Sequence, residues 1–158
     1  MSNQFQPSLP PKQGGGGTFQ QKNNNNNIKY ICMMNDIKVM NHAADNIRIL
    51  AASMVEKANS GHPGGAMGGS DFINVLFSEY LVYDPADPTW TGRDRFFLDP
   101  GHMSPMLYAG LALRGFFSME DLKQFRQWGS VTPGHPELDL QRGIENSSGP
   151  LGQGHALA

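Results

Sequence analysis

The chain has 158 residues and a formal net charge of -2 at pH 7, with 39% hydrophobic and 16% charged residues. That length suits about one domain, and without a basic excess nucleic-acid binding has little electrostatic support and is not expected. One cysteine, Cys32, excludes an internal disulfide and a multi-cysteine metal centre and agrees with a reducing cytoplasm.

No apolar run approaches the roughly 20 residues that cross a bilayer, and the N-terminal residues show no signal-peptide h-region. No membrane partner is therefore expected. Residues 1–41 read as a disordered Asn/Gln/Gly-rich extension. The first 27 residues alone hold five Gln, six Asn and four Gly, too little apolar surface to offset the entropy of ordering. Met33, Met34 and Met40 follow, so the residues before Met34 are either an upstream extension of the frame or a low-complexity arm.

Folded sequence is expected from 42 to 158. Ile47, Leu50, Ala51, Met54, Val55 and Ala58 fall on one face of a helix over 43–58, which Asn59-Ser60-Gly61 ends. Ser60 to Gly65 reads as loop because of Pro63. Ser70 is placed to cap a second helix over 71–81. That helix is apolar around most of its circumference and should be well buried. Residues 82–94 read as loop, and Arg95-Phe96-Phe97-Leu98 as a short buried strand. A turn at Asp99-Pro100-Gly101 opens a third helix over about 104–114. Ser118, with Glu120 and Asp121 behind it, starts a fourth over 118–128. Residues 129–149 read as loop, and 150–154 lead into a last helix start.

Two features point to a truncated domain. One strand cannot form a sheet, and the final helix, Ala156-Leu157-Ala158, carries no stop signal.

Four of the five histidines follow glycine, at His62, His102, His135 and His155. Glycine lets the backbone approach a ligand closely, imidazole titrates near neutral pH, and such loops are where function concentrates. A lone Gly-His pair is most simply a loop histidine; four together favour a site. His102 stands out because it follows a buried run and opens a helix, where ligands and phosphate groups gather in open parallel sheets. The sequence Gly149-Pro150-Leu151-Gly152-Gln153-Gly154 contains G-x-G but lacks the preceding strand of a dinucleotide site and a P-loop lysine. A zinc site of His62, His102 and His135 would need separations that match no compact metal pattern. No G-x-S-x-G hydrolase signature is present.

The strings KANSGHPGGAMGG (57–69), DRFFLDPGHMSPMLY (94–108), LKQFRQWGSVTPGHPE (122–137) and SGPLGQGHALA (148–158) resemble, in this order, the N-terminal pyrophosphate-binding domain of transketolases. TPGHPE favours transketolase over 1-deoxyxylulose-5-phosphate synthase; dihydroxyacetone synthase remains an alternative.

The resemblance implies an α/β thiamine-diphosphate-binding fold, doubly wound about a parallel sheet, of which only the N-terminal part is present. It also implies transfer of a two-carbon ketol unit from a ketose phosphate to an aldose phosphate by a longer parent enzyme, a cytoplasmic homodimer. It makes His62, His102 and His135 catalytic, gives His62 and His135 contacts with the donor sugar, and gives His102 the diphosphate side of the cofactor and the substrate hydroxyl. Gly149, Pro150 and Leu151 would line the cofactor near its aminopyrimidine. His155 takes no role.

No metal ligand is assigned within the chain. The Mg²⁺ motif and the activating glutamate are expected beyond Ala158, so the isolated chain is expected to be inactive. An inactive or regulatory fragment is the rival reading. Two departures stand out: Pro100 where many relatives have Asn, and Val131 where an Arg often precedes TPGHPE. Neutral imidazoles suit the proton traffic of ketol transfer, which requires a hydroxyl proton to leave and return.

Overall fold

The computed structural model describes residues 35–158 with their side chains, together with two strands, β1 (Thr18–Lys22) and β2 (Ile28–Cys32). These strands pair antiparallel, with Gln20 opposite Tyr30. Most of the extension expected over 1–41 lies outside the described residues.

Helix α1 spans Ile37–Ala58. It starts earlier than the apolar periodicity indicates because Asp36 caps it, its carboxylate accepting from the Lys38 N–H at 2.7 Å. Asn59 ends it in the left-handed region (φ 47°), where the expected stop lies.

Ser60 to Gly65 is not all loop. Pro63 opens a short helix α2 (Pro63–Gly68) at its first position, where a missing N–H leaves nothing unsatisfied. Helix α3 (Ser70–Val75) follows almost without a break and widens into a π-helical turn, Leu76–Tyr80. Ser70 is not its cap: the hydroxyl donates to the Ala66 carbonyl at 3.1 Å, inside the helical run. Nor is this helix well buried. Ile73, Asn74 and Phe77 face inward, but Phe72 is 62% and Tyr80 71% exposed.

Arg95–Leu98, expected as a strand, belongs to no ladder among the described residues. The Asn146 side chain stands in for a neighbouring strand, accepting from the Leu98 N–H at 3.1 Å and donating to its carbonyl at 3.4 Å. The segment is anchored below by a buried pair. Arg93 meets Glu145 through two hydrogen bonds, 2.6 and 2.8 Å, with both side chains 7% exposed.

A 3₁₀ turn, Gly101–Met103, leads into α4 (Ser104–Ala112), every residue of which is buried. Helix α4 is the axis of the unit. Helices α1, α2 and α3 pack against it around Ile47, Ala51, Ile73, Met106 and Leu111.

Helix α5 is shorter than the expected 118–128 and covers Met119–Lys123. Ser118 starts it, as expected, through a capping box with Asp121. Arg126, with φ 61°, turns the chain away. Residues 129–149 are irregular apart from an antiparallel bridge between Asp139 and Ile144 that encloses a 3₁₀ turn, Leu140–Arg142, and α6 (Gln153–Leu157) follows.

Candidate functional site

Helix α4 indexes two of the histidines. His102 sits in the turn that enters it. One turn apart on the same face, Ser104 Oγ donates to the Gly134 carbonyl at 2.7 Å, and the Tyr108 hydroxyl donates to the Pro133 carbonyl at 2.9 Å. These bonds fix the peptide before His135. Tyr108 is wholly buried between Phe117 and Phe125, and that burial raises its pKa far above the phenol range.

The third histidine arrives from the end of α1. Gly61 carries φ 131° and lies where a Cβ would be 3.2 Å from Val55 and 3.5 Å from Phe125. The conformation thus favours glycine, and the contact with Val55 would be tight for any larger residue. His62 then precedes α2. That helix lies close over the 101–103 turn because Gly65 has no side chain; a Cβ there would come within 2.9 Å of Met103.

The result is convergence from three distant loops. The His62 and His102 rings stand 5.0 Å apart, inclined at 55°. His135 lies near enough to both that their charges, after burial and Arg126, lower its pKa. It is held toward the neutral form. His62 and His135 are exposed and His102 half-buried, so the cluster forms an open face. His135 also borders an open cleft of about 780 Å³, with Ser60, Arg126, Trp128 and Glu137.

The 149–151 loop joins this face. A Cβ on Gly149 would be 3.9 Å from the His135 ring. Gly101 packs directly on the preceding peptide: a Cβ there would lie 2.8 Å from the Ser148 carbonyl oxygen and 3.0 Å from the Gly149 nitrogen. Ser148 in turn donates its N–H to the Pro136 carbonyl at 3.0 Å. The Gly152 N–H donates to the Asp99 carboxylate at 3.1 Å. Pro150 and Leu151 are exposed. His155 lies on exposed α6 and is not part of the cluster the other three form.

Sequence reasoning passed over Arg126, Ser60 and Ser148. Ser148 Oγ is buried beside the site without a hydrogen-bond partner, and no spacing marks it. Among the described residues no group of three His, Cys, Asp or Glu side chains could hold a metal ion, and no helix is long and apolar enough to cross a membrane.

Comparison with known proteins bears on this arrangement directly. Residues 39–158 match the family described as transketolase, thiamine diphosphate binding domain. Transketolase of Geobacillus stearothermophilus is 51% identical over 117 residues, covering 73% of this chain and 18% of that protein. Transketolase 2 of Escherichia coli strain K12 is 52% identical over 116 residues, covering 73% and 17%. The solved transketolase of Leishmania mexicana superposes with a TM-score of 0.71 at 47% identity, covering 74% of this chain and 18% of that one. That of Pichia stipitis, solved in complex with sedoheptulose-7-phosphate, gives 0.71 at 46% identity, covering 74% and 17%. This chain therefore spans less than a fifth of the length of these relatives. The sequence match and the common backbone agree, and the chain belongs to the transketolase family, in the part that binds thiamine diphosphate.

Proposed function

We propose that this chain forms one wall of the active site of a transketolase-type enzyme, which moves a two-carbon ketol unit from a ketose phosphate to an aldose phosphate. The observation that carries the reading is the meeting of His62, His102, His135 and the 149–151 loop on one face. The solved relative with sedoheptulose-7-phosphate supports sugar phosphates as the substrates.

The residues fit thiamine diphosphate. Gly101 lets the 101–103 turn pack on the 148–149 peptide, Gly149 leaves the space before the His135 ring free of a side chain, and Ser148 Oγ beside them is a buried hydroxyl without a partner. In this reading His102 would hold the diphosphate side, and Gly149, Pro150 and Leu151 would line the aminopyrimidine. When bound there, thiamine diphosphate supplies the carbon nucleophile for ketol transfer. His62 and His135 contact the donor sugar. A neutral imidazole nitrogen accepts the hydroxyl proton of the donor and later returns it to the product. The lowered pKa of His135 keeps that nitrogen available near neutral pH. Mg²⁺ finds no ligand set among the described residues, so no step is assigned to it here.

The doubly wound parallel sheet belongs to the complete domain, to which this chain contributes helices and site loops. A homodimer in the cytoplasm is part of the same proposal. The single cysteine supports the latter.

A chimera tests the reading. Residues 39–158 replace the matching segment of E. coli transketolase 2. Thiamine-diphosphate-dependent ketol transfer should persist, and each of His62→Ala, His102→Ala and His135→Ala should lower turnover by about 10²-fold or more. A folded chimera that binds the cofactor but transfers no ketol, or whose histidine variants keep full turnover, would overturn it.

A further inference from the structure

The segment around Arg126 reads as helix, yet the chain leaves α5 after Lys123 and Arg126 adopts φ 61°. In that conformation the Cβ of a non-glycine residue crowds the following carbonyl oxygen. The turn is held by the Arg126 N–H donating to the Thr132 carbonyl at 3.0 Å, while the Thr132 hydroxyl donates to the Asp121 carbonyl at 2.9 Å.

The consequence is the placement of one guanidinium. It lies over the Phe125 ring at 5.6 Å. It also covers Gly134, where a Cβ would meet Nε at 2.8 Å. From there Nη1 donates to Ser60 Oγ at 2.9 Å, across 66 residues of sequence. Ser60 precedes Gly61-His62, and Gly134 precedes His135. One side chain therefore bridges the two loops that carry the exposed histidines.

Fold stability alone does not account for this choice. The described ion pairs join Arg48, Arg93 and Arg142 to carboxylates and leave Arg126 out. Its Nε is buried without an acceptor, which costs free energy that an apolar side chain would not. We propose that Arg126 is a positioning residue that ties the His62 loop to the His135 turn and holds a fixed positive charge beside them. The inference rests on the reading of His62 and His135 as site residues. The charged groups around His135 are Arg126, His102 and His62, with Glu137 on the rim of the same cleft. Arg126 works with burial to keep His135 neutral.

The test uses the 158-residue chain with isotopically labelled histidines and follows each ring by NMR as a function of pH. Arg126→Met should move the His135 midpoint upward and shift the His62 ring resonances. Arg126→Lys, which keeps the charge but not the fork, should restore the His135 midpoint while His62 stays shifted. Ser60→Ala should shift His62 and leave the His135 midpoint in place. The inference is overturned if Arg126→Met keeps its core shifts and leaves both histidines unchanged. Should Arg126→Met not fold, an unchanged His62 in both Arg126→Lys and Ser60→Ala overturns it equally. No cofactor or substrate enters the experiment, so its failure is separate from failure of the chimera.

Discussion

Gly101→Ala is the sharpest probe of how the site is assembled. Gly101 does not need positive φ; it needs the absence of a side chain. Its Cβ would lie 2.8 Å from the Ser148 oxygen, 2.9 Å from the Ser148 carbonyl carbon and 3.0 Å from the Gly149 nitrogen. All three are backbone atoms, so no side-chain rotation relieves the overlap. The His102 turn and the 148–149 peptide must separate. Overpacking of this kind costs about 2 kcal/mol, or roughly 8 °C in melting temperature for a folded unit of this size. Gly68→Ala, in α2, is the control. Nothing lies within 4 Å of its added Cβ, and alanine favours the helix by up to about 1 kcal/mol. Thermal unfolding followed by circular dichroism measures both. Equal melting temperatures for the two variants would refute the claim that these loops are packed backbone to backbone.

Four further outcomes are expected. Glu145→Ala strands the buried Arg93 cation and should cost about 3 kcal/mol in urea unfolding, more than replacing both partners with apolar residues. Ser118→Ala removes the capping box of α5 and should cost about 1 kcal/mol at pH 7. The Ser118 side-chain and backbone bonds hold the Asp121 carboxyl below its ordinary range. The stability it contributes is present above that range and is lost as pH falls through the lowered folded value, so Ser118→Ala should narrow that acid loss. For His135 the folded pKa is lowered by burial first and then by Arg126, His102 and His62. The unfolded chain binds more protons below about pH 6.5, so stability falls as pH drops below it toward the lowered folded value, and His135→Gln should flatten that fall. In the chimera, His62→Ala should cut turnover more than cofactor affinity; lost cofactor binding with an unchanged rate would misplace His62.

Three of the four glycine-histidine pairs, those of His62, His102 and His135, meet on one face; the sequence marks such pairs as candidates because each combines a backbone that can approach closely with a side chain that titrates. The helices α1 and α4 were legible from apolar spacing, and Ser118 from its cap. The rest depends on partners far away in sequence. Arg95–Leu98 has the composition of a buried strand, but its hydrogen bonds go to one asparagine side chain, 48 residues away from Leu98. The second helix has the apolar circumference of a buried element, yet exposes Phe72 and Tyr80 because its neighbours cover one side only. Pro63 was read as a helix breaker, although the first helical position tolerates it. Arg126 gave no signal at all: its role arises from a left-handed turn inside a helix-favouring run and from Ser60, 66 residues away.

The account depends most on three imidazoles from separate loops sharing one face. With ring carbons labelled in the 158-residue chain, a nuclear Overhauser effect between the His62 and His102 rings is predicted from their 5.0 Å separation, and both rings should respond when His135 takes up a proton. Two rings without a cross-peak, each with resonances unchanged when His135 takes up a proton, would contradict it.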